Sequence, residues 1–412
     1  MNPNSFGKSN EMFLRATRVI PTGISGNKNP AFAIPREFPA FAERGEGCRY
    51  RDVDGNEYID FLCGFGPIVL GYNYKKIDAA YDAQRALGST FNHPTPRTVE
   101  LAEKMVALIP CADWAAFARN GSDITTYAVM VAREKTQRRK VIVTRGAYHG
   151  SHAWCTPGHG GLIEEDKQHV LAFTWNDADE LRDLARKNEG DVAAVMLTPH
   201  HHPAFNEQVL PAPGFWSEVR RICDDNGMVL ICDDIRDGFR LHMNGSGEYF
   251  GFVPDITCFC KAIANGYGIS AIVGKEEIKA AASKVFFTGT YYTAAADLAA
   301  GIATLDELQE VNAIEHMMKM GTMLCDGLVE KGKAHGLQVK MTGPPTVPFL
   351  TFANERDFRR NQLFSKECAR HGVLFHPHHN WFLMYSHREK DIRQALSVAD
   401  EAFRIVKIEF GS

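Results

Sequence analysis

Short, almost uninterrupted apolar runs recur through the middle of the chain: Val141–Arg145, Val170–Trp175, Ala193–Pro199, Met228–Ile235, Asp255–Cys260 and Ala271–Gly274. Runs of this length without polar alternation predict strands covered on both faces. Between them, Ser122–Thr136, Asp177–Lys187 and Gly214–Asn226 carry helical spacing. The alternation predicts an α/β domain around a mainly parallel sheet. Ligands in such folds gather beyond the carboxyl ends of the parallel strands. Further on the pattern changes. Ala294–Gln309 and Ala313–Gly336 read as long helices, and Val339–Thr342, Phe349–Phe352 and Phe382–Tyr385 as short strands. From Glu389, the residues Ile392, Leu396, Ala399, Phe403 and Val406 share one helical face. Near the start, Gly45–Tyr58 alternates around Asp54-Gly55, a hairpin turn signal. The expected organisation is an N-terminal segment (1–65) packing with a smaller α+β domain (302–412), and a large α/β domain (66–301) between them.

Composition narrows the function classes. A chain of 412 residues exceeds one small core. With 45% hydrophobic and 23% charged residues it is ordinary globular material. The net charge of −4 gives no reason to expect nucleic acid or a membrane surface as partner. The N-terminus has no apolar leader pattern, so a cytoplasmic enzyme is expected. The ten cysteines mostly sit inside apolar runs, and no Cys-x-x-Cys occurs. They read as small buried hydrophobes rather than a disulfide framework or zinc site.

Four signals carry chemistry. The run Met228–Arg240 (MVLICDDIRDGFR) ends in Asp233 and Asp234. A strand-end carboxylate is costly without a cationic partner. Pyridoxal phosphate offers one in its protonated ring nitrogen, although such aspartates also bind magnesium or cap helices. The next run, in Asp255–Gly268 (DITCFCKAIANGYG), ends in Lys261 before a glycine-containing turn. Lys261 reads either as a snorkelling surface lysine or as a desolvated Schiff-base lysine. Gly121 and Ser122, in Phe117–Thr125 (FARNGSDIT), open a helix. They form a phosphate cup, or Ser122 is simply an N-cap. Tyr148, in Gly146–Gly150 (GAYHG), can lay its ring on a flat cofactor or merely pack.

Taken together and in this order, the motifs resemble the class III, fold-type I aminotransferases, in the branch of the glutamate-1-semialdehyde aminomutases. The similarity runs from about residue 17 to 406 and includes YRDVDGNEYIDFLCGFGPIVLGY, RGAYHG, DDIRDGFR, PDITCFCKAIANGYG and GTYYTAAADLAAGIATL. The resemblance implies a large domain with a mainly parallel sheet and a smaller α+β domain. It implies pyridoxal 5'-phosphate, cycling through pyridoxamine phosphate. Lys261 would hold the cofactor and move the substrate proton, and Asp233 would pair with the ring nitrogen. Tyr148 would stack on the ring, and Gly121 and Ser122 would bind the phosphate. Thr290 would reach the phosphate of the neighbouring subunit's cofactor, making the protein a homodimer with shared sites.

The departures from the family refine the expectation. Its phosphate cup reads Asn-Ser-Gly-Thr-Glu-Ala, against Arg119–Ile124 here, and its Asp-Glu is Asp233-Asp234. Its Glu-Pro position is Thr198-Pro199, followed by His200-His201-His202. These histidines read as a polar loop near the site mouth rather than a metal cluster, since consecutive residues rarely converge on one ion. Ser25–Asn29 lacks the arginine that clamps a substrate carboxylate in the aminomutases, and Lys28 offers only a point charge. The motif His376-Pro377-His378-His379-Asn380-Trp381-Phe382-Leu383 is similar to the fumonisin-type aminotransferases of this branch. That similarity implies a primary amine on a long aliphatic chain as donor and a keto acid such as pyruvate as acceptor. Phe65, His378 and His379 would touch the substrate, with the histidines on a turn at the rim of the smaller domain. Arg236 is placed to reach the site. The alternatives are an aminomutase or racemase on the same scaffold, a lyase or decarboxylase, and a silent cofactor-binding regulator. No G-x-G-x-x-G follows an early strand, which disfavours a dehydrogenase.

Overall fold

A computed structural model describes residues 3–411 apart from 27, 28, 30–33, 36, 204, 354 and 356. The chain forms two compact units. One comprises Met1–Tyr74, Ala204–Glu207 and Glu315–Ser412, and the other Lys75–Pro203 and Gln208–Ile314. The sequence reading drew its divisions near residues 65 and 302. The helix Ala295–Glu310 lies wholly in the second unit.

The second unit is built on a seven-stranded sheet. Its order is Trp114–Ala118, Ser270–Gly274, Ile256–Phe259, Val229–Asp233, Val192–Leu197, Lys140–Thr144, Val170–Phe173. Ser270–Gly274 runs antiparallel to both neighbours, and the remaining pairs are parallel. The apolar runs are continuous because successive side chains enter two different cores. Val229 and Ile231 join the cluster on the face of helix Gly121–Thr136, while Leu230 and Cys232 join the opposite one with Val219 and Ile222 of helix Phe215–Asn226. The edge strand Trp114–Ala118 was not anticipated. Its short, alanine-rich WAAFA carries little β-branched or alternating signal, and pairing with Ser270–Gly274 is what makes it a strand.

In the first unit the sheet order is Ala42–Glu46, Arg49–Asp52, Glu57–Asp60, Val373–Leu374. The predicted hairpin forms. Gly55 takes φ 88°, and the Asp52 carboxylate accepts bonds from the amides of Asp54 (3.0 Å) and Asn56 (2.9 Å) and the Tyr58 hydroxyl (2.7 Å). The expected strand Phe382–Tyr385 does not form. Phe382–Met384 are buried, yet the backbone donors of this stretch turn to different partners: Phe382 to Phe61, Leu383 to Thr346, Tyr385 to Val69. Among the described residues it joins no sheet. Phe364 stacks on Phe403 and Phe375 on Trp381, with ring centroids 4.7 and 4.1 Å apart, and these rings form the aromatic centre of this unit. Among the described residues no helix is long and apolar enough to cross a membrane.

Candidate active site

The site lies at the carboxyl ends of the central strands, where the fold class places it. Asp233 is the last residue of Val229–Asp233, and Lys261 follows Ile256–Phe259 by two residues, on a single 3-10 turn. Lys261 has φ 50°, left-handed backbone that is uncommon for a lysine and often marks functional positions. Gly121 and Ser122 begin the helix Gly121–Thr136, whose Asn120 amide donates to Asp123 (3.2 Å) at the cap. Tyr148 comes from the loop after Lys140–Thr144 and is 47% exposed. These five residues line one cavity of about 480 Å³.

The electrostatics suit nucleophile and acid–base chemistry. Burial first, then the nearby Arg236 guanidinium, push the Lys261 amine down to about 8. An appreciable fraction is therefore neutral near physiological pH. Burial raises the Tyr148 phenol above its ordinary value, which keeps it protonated. Asp233 is buried and faces His149, whose Nδ1 lies 2.7 Å from its carboxylate. The cup is tight. A Cβ on Gly150, which has φ 129°, would come within 2.7 Å of Ser122 Oγ, and one on Gly121 within 2.9 Å of Ile235. The Ser151 amide donates to Ser122 Oγ (3.0 Å). The start of the helix and the Ser122 hydroxyl thus line the cavity together, and a helix N-terminus is an anion seat. A cup for phosphate, a buried carboxylate for a ring nitrogen and a desolvated amine in one cavity fit pyridoxal phosphate.

Other sequence expectations fall elsewhere. Phe65, His378 and His379 belong to the first unit. Phe65, with φ 69°, meets His376 and His379 edge-on at 5.7 and 5.1 Å, and His378 stacks on Phe205 at 4.2 Å. His376 and His378 are buried, not on an open rim, because aromatic rings pack against them. Thr290 is exposed and does not line the cavity. Lys28 lies outside the described residues. His200–His202 do form a loop beside the cavity, but a packed one rather than a solvated one: His200 is fully buried between Asp237 and Gln208, His202 lines the cavity, and half-buried His201 stacks on Trp175. Sequence reasoning gave no role to His149, Ser151 or His202. All three lie within three residues of a motif position or of the Thr198-Pro199 departure, and that proximity was the available signal.

The chain's similarities agree with this geometry. The aminotransferase class-III family matches residues 33–402. An aminopentol aminotransferase of Sphingopyxis macrogoltabida is 40% identical over 97% of this chain and 94% of that protein. A glutamate-1-semialdehyde 2,1-aminomutase of Syntrophobacter fumaroxidans is 31% identical over 97% and 98%. The FumI protein of Sphingopyxis sp. MTA144, solved as its pyridoxal-phosphate internal aldimine, superimposes with a TM-score of 0.96 at 40% identity, covering 98% of each chain. The fold, the cavity and these relatives together make the chain a member of the class-III aminotransferases, and a pyridoxal-phosphate-dependent transaminase.

Proposed function

We propose that this transaminase takes its amino group from a primary amine on a long aliphatic chain, with no carboxylate beside the nitrogen, and passes it to a keto acid such as pyruvate. The observation that carries the reaction type is the shared cavity of Lys261, Asp233 and the Gly121–Ser122 cup. The donor class rests on the similarity to an aminopentol aminotransferase and on the absence of arginine from Ser25–Asn29.

Pyridoxal phosphate, when bound, supplies the carbonyl that joins the amine and the electron sink that acidifies the neighbouring C–H. Gly121 and Ser122 would hold its phosphate at the helix N-terminus, and Tyr148 would cover its ring. Asp233, oriented by His149, would keep the ring nitrogen protonated. Lys261 tethers the cofactor at rest. Its partly neutral amine, when free, would accept the proton from the substrate carbon and deliver it to the cofactor, the role of a positioned general base. Phe65, His378 and His379 are assigned to the substrate, a reading supported by the unusual backbone of Phe65. The working form is a homodimer in which Thr290 approaches the partner's cofactor phosphate. The exposed apolar side chains of Phe286 and Tyr291, close to Thr290 in sequence, support it. Ten free cysteines suit a reducing cytoplasm.

A half-reaction tests the donor class. Long-chain amines added to the cofactor-loaded enzyme without keto acid should bleach the cofactor absorbance and release one carbonyl product per site. Bleaching by α-amino acids alone would refute the proposed donor. The aminomutase reading, favoured by the 31% identical relative, predicts isomerisation without any separate acceptor.

A further inference from the structure

A keto-acid acceptor brings a carboxylate into the site, and a carboxylate in a partly buried cavity needs a cationic or hydrogen-bonding partner. Ser25–Asn29 holds no arginine, but the cavity does. Arg236 sits three residues beyond Asp233, in the turn that leaves the aspartate strand, and lines the cavity with Lys261, Tyr148 and His202. Its charge reaches all three, contributing to the lowered pKa of Lys261 and of His202 and partly opposing the rise at Tyr148. Asp237 and Asp233 both act on the Arg236 charge, while Asp233 also faces His149 Nδ1 at 2.7 Å and Asp237 faces His200 Nδ1 at 3.1 Å. A guanidinium carries five N–H donors in a planar fork, so one side chain can serve a partner within the fold and a ligand together.

His202 is the second half of the argument. It is only 6% exposed, lines the same cavity, and neither ring nitrogen has a hydrogen-bond partner among the described residues. Burial, then Arg236 and His200, hold its pKa well below the ordinary histidine value, so the ring is neutral and has one N–H to give. A buried donor without a partner is unfavourable, and a ligand that accepts from it relieves that cost. A guanidinium beside a neutral imidazole matches one carboxylate: a single charge is balanced and a further hydrogen bond is supplied.

We propose that Arg236 and His202 form the seat of the acceptor's carboxylate, Arg236 pairing with it and His202 donating a hydrogen bond to it. The proposal rests on the transaminase reading above and names the class of acceptor, a small 2-keto acid. An amine donor without a carboxylate does not use this seat, so one site can serve two chemically unlike substrates in turn.

The test compares acceptors that differ only in the carboxylate. Wild-type holoenzyme, Arg236→Gln, Arg236→Lys and His202→Asn are converted to the amine form and then reoxidised with pyruvate or with acetaldehyde. In Arg236→Gln the ratio of kcat/KM for pyruvate over acetaldehyde should fall about 10- to 100-fold, the worth of a charge-assisted hydrogen bond. Arg236→Lys, which keeps the charge but loses the fork, should fall between. His202→Asn should lower the same ratio by a smaller factor. Oxamate, a non-reacting keto-acid mimic, is titrated against the resting holoenzymes by cofactor absorbance. Its Kd should rise in parallel. An unchanged ratio, or an unchanged oxamate Kd, in both Arg236 variants overturns the seat. If Arg236→Gln fails to fold, Arg236→Lys decides alone. Should no amine convert the wild type, the transaminase reading fails instead, and the oxamate titration still tests the seat.

Discussion

Lys261 owes its chemistry to poor solvation. In water its amine would be fully charged at neutral pH, but burial and the Arg236 guanidinium bring it down to about 8. The neutral amine is the proton acceptor, and its fraction grows as pH rises. The amine-driven half-reaction should therefore speed up through about pH 8 and level off above it, and stopped-flow bleaching across pH checks this. A profile flat from pH 6 to 10 would remove Lys261 from the proton-transfer step. At this scale the sequence was legible where one residue carries a costly feature by itself. A lysine or aspartate closing an apolar strand is conspicuous because burial of charge demands a reason. The His149–Asp233 contact was not legible. Its partners are 84 residues apart, and only the parallel packing of Lys140–Thr144, Val192–Leu197 and Val229–Asp233 brings their ends together. His202 went unread for a related reason: three consecutive histidines look like a solvated loop until each is seen in its own environment.

Elements follow the apolar pattern when their environment is symmetric, and escape it when it is not. The six runs read as strands all lie in the seven-stranded sheet, since both of its faces are covered. Phe382–Tyr385 is as apolar as they are, yet among the described residues it joins no sheet, its donors going to separate partners. Apolarity reports burial, whereas a strand also needs a partner edge. Helices show the same competition between local and tertiary terms. Gly321 lies inside the helix Ala313–Ala334, where replacement by alanine would gain about 1 kcal/mol of helix propensity. Tertiary packing reverses that sign, because a Cβ there would overlap the Pro345 carbonyl, a backbone group that cannot swing aside. Gly321→Ala should lower stability by about 1–3 kcal/mol, seen as a fall in the urea midpoint. Gly327→Ala, which meets only the flexible Leu396 side chain at 2.5 Å, should cost less. A stabilised Gly321→Ala would mean that the helix and the loop at Pro345 are not packed as described.

For the whole molecule, exposed apolar groups raise the question of a second copy. Phe286 is 88% exposed, an uncommon position for a phenylalanine, and Thr290 follows four residues later. Light scattering should give the mass of a dimer, and Phe286→Asp should weaken both dimer and cofactor binding together. A monomer with full cofactor affinity would exclude the shared site. The sequence by itself determined the cofactor: a few residue types at strand ends and one helix start are enough, because each is explained by a phosphate, a ring nitrogen or an aldehyde. It also determined the α/β alternation, which depends only on local periodicity. The tertiary structure alone decided which side chains complete the cavity. His149, His202 and Ser151 acquire their roles from neighbours distant in sequence, from a low-dielectric surrounding, and from close backbone approaches such as Gly150 on Ser122. These are properties of spatial arrangement, and no window along the chain contains them.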